Sequence, residues 1–182
     1  MTLPDVTPAQ GQVVLHLFFK AAQADAVQIR DAATSFDDDA HHLVSIAILG
    51  HKADLGVMAL GPDVWRLRRL QTALVASGLE LVDSYFSLTE VSEYAKGMPE
   101  EMVQKRLFPQ LPPAELKAFC FYPMSKSRTA EANWFTEDFE ERKRLMLEHG
   151  TSGRKFAGRV VQVVTGSTGI DAIRSVFPAW PT

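Results

Sequence analysis

Between residues 12 and 91 the apolar positions switch repeatedly between two-residue alternation and helical spacing. QVVLHLFFKA, from Gln12 to Ala21, is dense in Val, Leu and Phe and predicts a strand, and a helical stretch follows around 23–34. HLVSIAILG (42–50) and DLGVMALG (54–61) are apolar runs separated by His51, Lys52 and Ala53, which predicts a hairpin. In 63–77, Val64, Leu67, Leu70 or Gln71, and Leu74 recur at helical spacing, with Pro62 and Asp63 suited to the helix start and Gly78 to its end. A strand over 79–91 completes a β-α-β-β-α-β order. Such a unit packs two helices on one face of an antiparallel sheet, the ferredoxin-like arrangement of an α+β protein.

The pattern then changes. Residues 92–115 carry four prolines and one short helical segment, which predicts a connector between a first unit at 11–91 and a second at 116–182. The second begins like the first, with a strand at 116–123, a helix near 138–148 and a strand at 157–165. After TGSTGID only AIRSVFPAWPT remains, too short and proline-rich for the β-α-β that would complete it.

Composition sets limits on the chemistry. At 46% apolar residues over 182 positions the chain can bury a sizeable core. Its net charge of -3, from 19 basic and 22 acidic side chains, provides no global attraction for nucleic acid or anionic membrane, so a positive site must be local. Cys120 is the single cysteine, which excludes an internal disulfide and thiolate clusters and fits a reducing compartment, with cytoplasm as the expectation. MTLPDVTPAQ reads as a loose arm, and no apolar run approaches the roughly 20 residues that span a bilayer. Phosphate-loop, dinucleotide-fold and zincin motifs are absent.

Alternation through 117–124 puts Cys120, Tyr122 and Met124 on one face of a strand and Phe119 and Phe121 on the other. Tyr122 reads either as a core tyrosine bonded at the rim or as a phenol that, with Met124 and Lys126, faces an anionic redox ligand. Around 138–149, Asp138 and Glu141 fit a capping box, Glu140 can pair with Arg144, and Phe139, Met146 and His149 fall near one inward stripe. His149 reads either as a C-terminal residue favoured by the helix dipole or as an axial metal ligand. A lone histidine does not suit zinc, which takes three or four protein ligands, but it can hold haem iron. Gln162, in the apolar run RVVQVVTG, needs a partner for its amide or presents a neutral donor to a pocket. GTSGRKFAG (150–158) is a glycine-rich basic loop with anion-binding character or simple solvated charge. His41 and His42 after Asp37, Asp38 and Asp39 read as a solvated turn, with a weak surface metal site the alternative.

FYPMSKSR (121–128), NWF (133–135) and FEERKRLMLEHGTSGRKFAGRVVQVVTGSTGID (139–171) together resemble the coproheme decarboxylases, the haem-synthesis branch of the chlorite dismutase superfamily. The resemblance implies two ferredoxin-like units forming an α+β barrel, here with an incomplete second unit, usually assembled as a homopentamer. It implies hydrogen-peroxide-dependent conversion of iron coproporphyrin III to haem b by oxidative decarboxylation of two propionates. On its motifs, Tyr122 would form the radical that attacks a propionate, His149 would be the proximal iron ligand, and Gln162 would lie on the distal side, where chlorite-degrading relatives carry arginine. Met124 and Lys126 would line the propionate region, with Arg106 of KRLFPQLP a further propionate partner. A coproporphyrin ferrochelatase is the implied transient partner. The alternatives are a haem peroxidase or chlorite dismutase-like enzyme, and a truncated, non-catalytic porphyrin-binding protein. Family members continue past TGSTGID with a further β-α-β, replaced here by AIRSVFPAWPT.

Overall fold

The computed structural model describes residues 6–21, 23–113 and 115–171. Its first part follows the sequence pattern closely: β1 (Val13–Lys20), α1 (Ala26–Phe36), β2 (His42–Ala47), β3 (Leu55–Gly61), α2 (Val64–Ala76) and β4 (Glu80–Thr89). A short 3-10 turn (Glu93–Ala95) and α3 (Glu100–Leu107) occupy the connector, and α4 (Phe139–Arg154) and β5 (Thr165–Gly166) complete the described elements. The sheet order is β2-β3-β1-β4-β5, with antiparallel pairing throughout.

Local chemistry explains where the elements begin and end. Asp25 accepts from the Val27 and Gln28 amides at 2.8 and 3.2 Å, and Asp63 accepts from Trp65 N at 2.8 Å, so each helix of the first unit starts on an aspartate. Gly78 ends α2 at φ +93°, where an added Cβ would stand 2.8 Å from the Gln23 carbonyl oxygen. Gly78→Ala is therefore expected to destabilise the fold by more than about 1 kcal/mol, read as a lower urea midpoint at unchanged slope.

Alternation along β1 assigns its side chains to two faces. Val13, Leu15, Leu17 and Phe19 meet Val57 and Ala59 of β3 beneath Phe36, Leu67, Leu70 and Leu74 of the two helices, forming the principal core. The opposite face carries Val14, Met58 and Leu60, covered by Leu111 and Phe119 from the extended chain after α3. His16 belongs to this second face, paired in register with Met58 on one side and Tyr85 on the other.

Three sequence expectations change in the structure. The acidic turn is built and not merely solvated: Asp38 accepts from the Ala40 and His41 amides and lies 2.7 Å from Arg66, while His41 is buried. The strands expected at 116–123 and 157–165 do not form, apart from β5 at the end of the second. Alternation fixes faces but supplies no hydrogen-bond partner, and of these two segments only Thr165 joins a ladder among the described residues. The helix expected near 138–148 continues through Gly150 to Arg154, because Gly150 does not adopt the left-handed conformation that would stop it and the Thr151 hydroxyl donates to Leu147 O at 2.9 Å. The α+β architecture stands, and among the described residues the second unit contributes only α4 and β5; the tail AIRSVFPAWPT lies outside the described residues.

Candidate functional site

The segment 117–128 is extended without being a ladder strand, yet its two faces separate as alternation requires. Phe121 packs on His16, Phe18 and Tyr85 with ring centroids 4.4, 5.4 and 5.6 Å away, and Phe119 lies 6.4 Å from His16. The opposite side chains point outward: Tyr122 is 60% exposed and Met124 72%. Tyr122 is thus not a core tyrosine. Packing two half-buried phenylalanines on the open face of the sheet holds the phenol in solvent on a segment anchored from behind.

Beyond Tyr122 the chain turns toward α4. The Lys126 ammonium sits 3.7 Å from the centroid of the Trp134 ring and 3.7 Å from Met146 Sδ. Met146 is three residues before His149, so this contact brings the Tyr122–Lys126 segment alongside the helix that carries the imidazole. Partial burial, and then the Arg142 cation, hold the Lys126 ammonium below the usual lysine range. Among the described residues Lys126 has no carboxylate partner.

An aromatic group supports that corner. Tyr94 stacks on Phe139 at 5.5 Å and meets Trp134 edge-on at 6.2 Å, while Arg142 lies over both Tyr94 and Phe139 and within 3.4 Å of Glu93. The cluster joins the connector, the loop before α4 and α4 itself. Burial is the first cause that raises the Tyr94 phenol above its ordinary range, followed by Glu93. Periodicity does not single out Trp134, Tyr94 and Arg142, because their contacts join three separate segments.

The remaining predicted residues are placed less tightly. His149 is exposed, not inward, and with α4 running to Arg154 it is not in the last turn, so the dipole reading does not apply. Its imidazole has no hydrogen-bond partner among the described residues. Asp138 caps α4 through Glu140 N at 2.9 Å, but Glu141 pairs with Arg144 instead of closing a capping box, and Glu140 pairs with Lys143. Gln162 is exposed, which removes the burial cost its amide would otherwise carry, and Val160, Val161 and Val164 around it are exposed as well. Arg106, in the last turn of α3, is exposed. GTSGRKFAG is not a loop throughout, since its first five residues belong to α4.

TGSTGID is tied firmly to the first unit. Gly166 pairs with Leu88, Ser167 Oγ and the Tyr85 hydroxyl are 2.6 Å apart, and Asp171 accepts from Phe86 N at 2.9 Å. These bonds run the segment along the outer edge of β4. Among the described residues no three histidine, cysteine or carboxylate side chains gather to hold a metal, and no helix is long and apolar enough to cross a membrane.

A coproheme decarboxylase of Staphylococcus carnosus is 35% identical over 189 aligned residues, covering 88% of this chain and 74% of that protein. A protein of Natronomonas pharaonis named for heme binding is 40% identical over 142 residues, which are 69% of this chain but 23% of that longer protein. Among solved structures, a heme-binding protein from Thermus thermophilus superposes with a TM-score of 0.73 at 29% identity, over 94% of this chain and 78% of that one. Residues 21–174 match the chlorite dismutase family, and with agreement in sequence and fold over most of its length, the chain belongs to that family.

Proposed function

We propose that this chain acts on iron coproporphyrin III, using hydrogen peroxide to convert two propionates to vinyl groups and yield haem b. What carries the reading is the contact of Lys126 with Met146, which draws the segment bearing Tyr122 against the helix bearing His149. The donor chemistry fits an iron porphyrin, a flat apolar macrocycle with carboxylates at its edge. Tyr122, Met124, Leu147, Val160, Val161 and Val164 expose apolar surface, Lys126 offers a cation without a carboxylate partner among the described residues, and His149 offers one imidazole to ligate iron. The coproheme decarboxylase relative supports the same substrate class.

The porphyrin substrate supplies the redox chemistry when oxidised by peroxide; the side chains orient it and move hydrogen. Each propionate, one peroxide and one proton give one vinyl group, one carbon dioxide and two waters, so two peroxides serve one porphyrin. In this reading Tyr122 gives up its phenolic hydrogen and, as the radical, removes a hydrogen atom from the β carbon of a propionate. Loss of carbon dioxide and of the remaining electron completes the vinyl. Lys126 receives a propionate through charge-assisted hydrogen bonds, with Met124 beside it and Arg106 a further partner. Gln162 would offer the bound porphyrin a neutral hydrogen-bonding amide. The reading carries with it a cytoplasmic homopentamer supplied by a coproporphyrin ferrochelatase.

Anaerobic titration with iron coproporphyrin III, then stepwise peroxide with the porphyrin mass read after each addition, tests this. The expected result is saturable binding followed by loss of two carboxyl groups as carbon dioxide. Absence of binding sinks the proposal. A second reading, a porphyrin-binding chain without turnover, is favoured by the exposure of His149 and Gln162 and would give binding with no change of mass. Dioxygen release from chlorite would instead point to chlorite chemistry, against which the neutral Gln162 argues.

A further inference from the structure

We propose that Trp134 is a positioning residue for Lys126, seating its ammonium on the indole face so that the charge is presented beside the His149 helix. The inference rests on the reading of Lys126 as a propionate partner. The ammonium lies 3.7 Å from the Trp134 ring centroid, well inside the roughly 6 Å range of an effective cation–π contact. A lysine held by a carboxylate would be neutralised in place. One held by an aromatic face and a thioether keeps its full charge for an anionic ligand.

The loop between the two residues is built to bring them together. Trp134 N donates to Ser127 O at 3.0 Å, Arg128 and Asn133 form an isolated antiparallel bridge, and the Ser127 hydroxyl donates to Ala132 O at 2.5 Å. The chain thus folds back so that Trp134 meets a residue eight positions earlier. Tyr94 braces the indole edge-on, and Met146 Sδ is a second neighbour of the ammonium. The nearby charges are Arg142, which repels Lys126, and Glu93, which is engaged with Arg142. Repulsion from Arg142 gives the ammonium a reason to leave this corner unless the ring holds it.

The test uses the full chain, with and without iron coproporphyrin III. In the porphyrin-free protein the Lys126 Hε resonances should be shifted upfield by the indole ring current, keep much of that shift in Trp134→Phe and lose it in Trp134→Leu. Trp134→Leu should weaken iron coproporphyrin III binding about three- to tenfold, with Trp134→Phe between it and the parent. In a Lys126→Met background, Trp134→Leu should produce no further loss, since the ring acts through the lysine. An equal loss in that background, or unshifted Lys126 resonances in a parent chain that binds the porphyrin, overturns the inference alone. A parent chain with shifted resonances but no affinity for iron coproporphyrin III overturns the reading of the site, and the ligand role of the seat with it.

Discussion

Tyr122→Phe is expected to leave iron coproporphyrin III binding nearly unchanged while lowering peroxide-driven decarboxylation by about 10³-fold or more, equivalent to ~4 kcal/mol of barrier. The substitution removes only the phenolic oxygen. Tyr122 is 60% exposed, and Phe119 and Phe121 anchor the segment from the opposite face, so neither the fold nor the exposed apolar surface should change. A loss confined to turnover is what removal of the hydrogen-transferring group predicts, because an interaction used only in the reaction lowers the rate without weakening binding. The check is a single-turnover experiment in which porphyrin mass is followed against time in parent and variant. Full carbon dioxide release from the variant would exclude Tyr122 as the radical residue. Loss of binding instead would make the hydroxyl a ligand contact.

Particular residues show how far the sequence can lead. The first unit is readable almost to the residue because its signals are local. Asp25 and Asp63 cap, Gly78 stops α2, and β1 alternates between two buried faces. In the second half the same alternation correctly separates Phe119 and Phe121 from Tyr122 and Met124, but does not tell whether a partner strand exists. Ladder formation depends on a second segment, and that information is not contained in the period of the first. The length of α4 escapes the sequence for a related reason: glycine stops a helix only when it takes up positive φ, and Gly150 does not. The motif residues Tyr122, Lys126 and His149 are legible as chemistry. The aromatic corner of Tyr94, Trp134, Phe139 and Arg142 is not, since it exists only once three segments meet.

The second large effect concerns His16, whose position on the lesser face of the sheet makes the fold sensitive to acid. Its side chain is 6% exposed, surrounded by Phe119, Phe121 and Tyr85, and its Nδ1 has no hydrogen-bond partner among the described residues. Burial among apolar rings disfavours the imidazolium and lowers the pKa from 6.5 to about 4. The unfolded chain therefore binds this proton before the folded one does. Stability is unaffected by the group above pH 6.5, falls as the pH drops from 6.5 toward 4, and levels off below the folded value. Full development of that difference corresponds to roughly 3 kcal/mol, a large share of the stability of a single domain. Asp38, whose carboxylate is held down to about 2 first by the Ala40 amide, loses its contribution in a lower window, between its ordinary value of 3.8 and about 2. The two effects can therefore be separated along the pH axis. His16→Phe should remove the loss between pH 6.5 and 4 while retaining the decline linked to Asp38 below it. Urea midpoints at a series of pH values in parent and variant measure this directly. Parallel curves through that window would show that His16 is protonated in the folded state, and hence that water reaches the face that Phe119 and Phe121 cover.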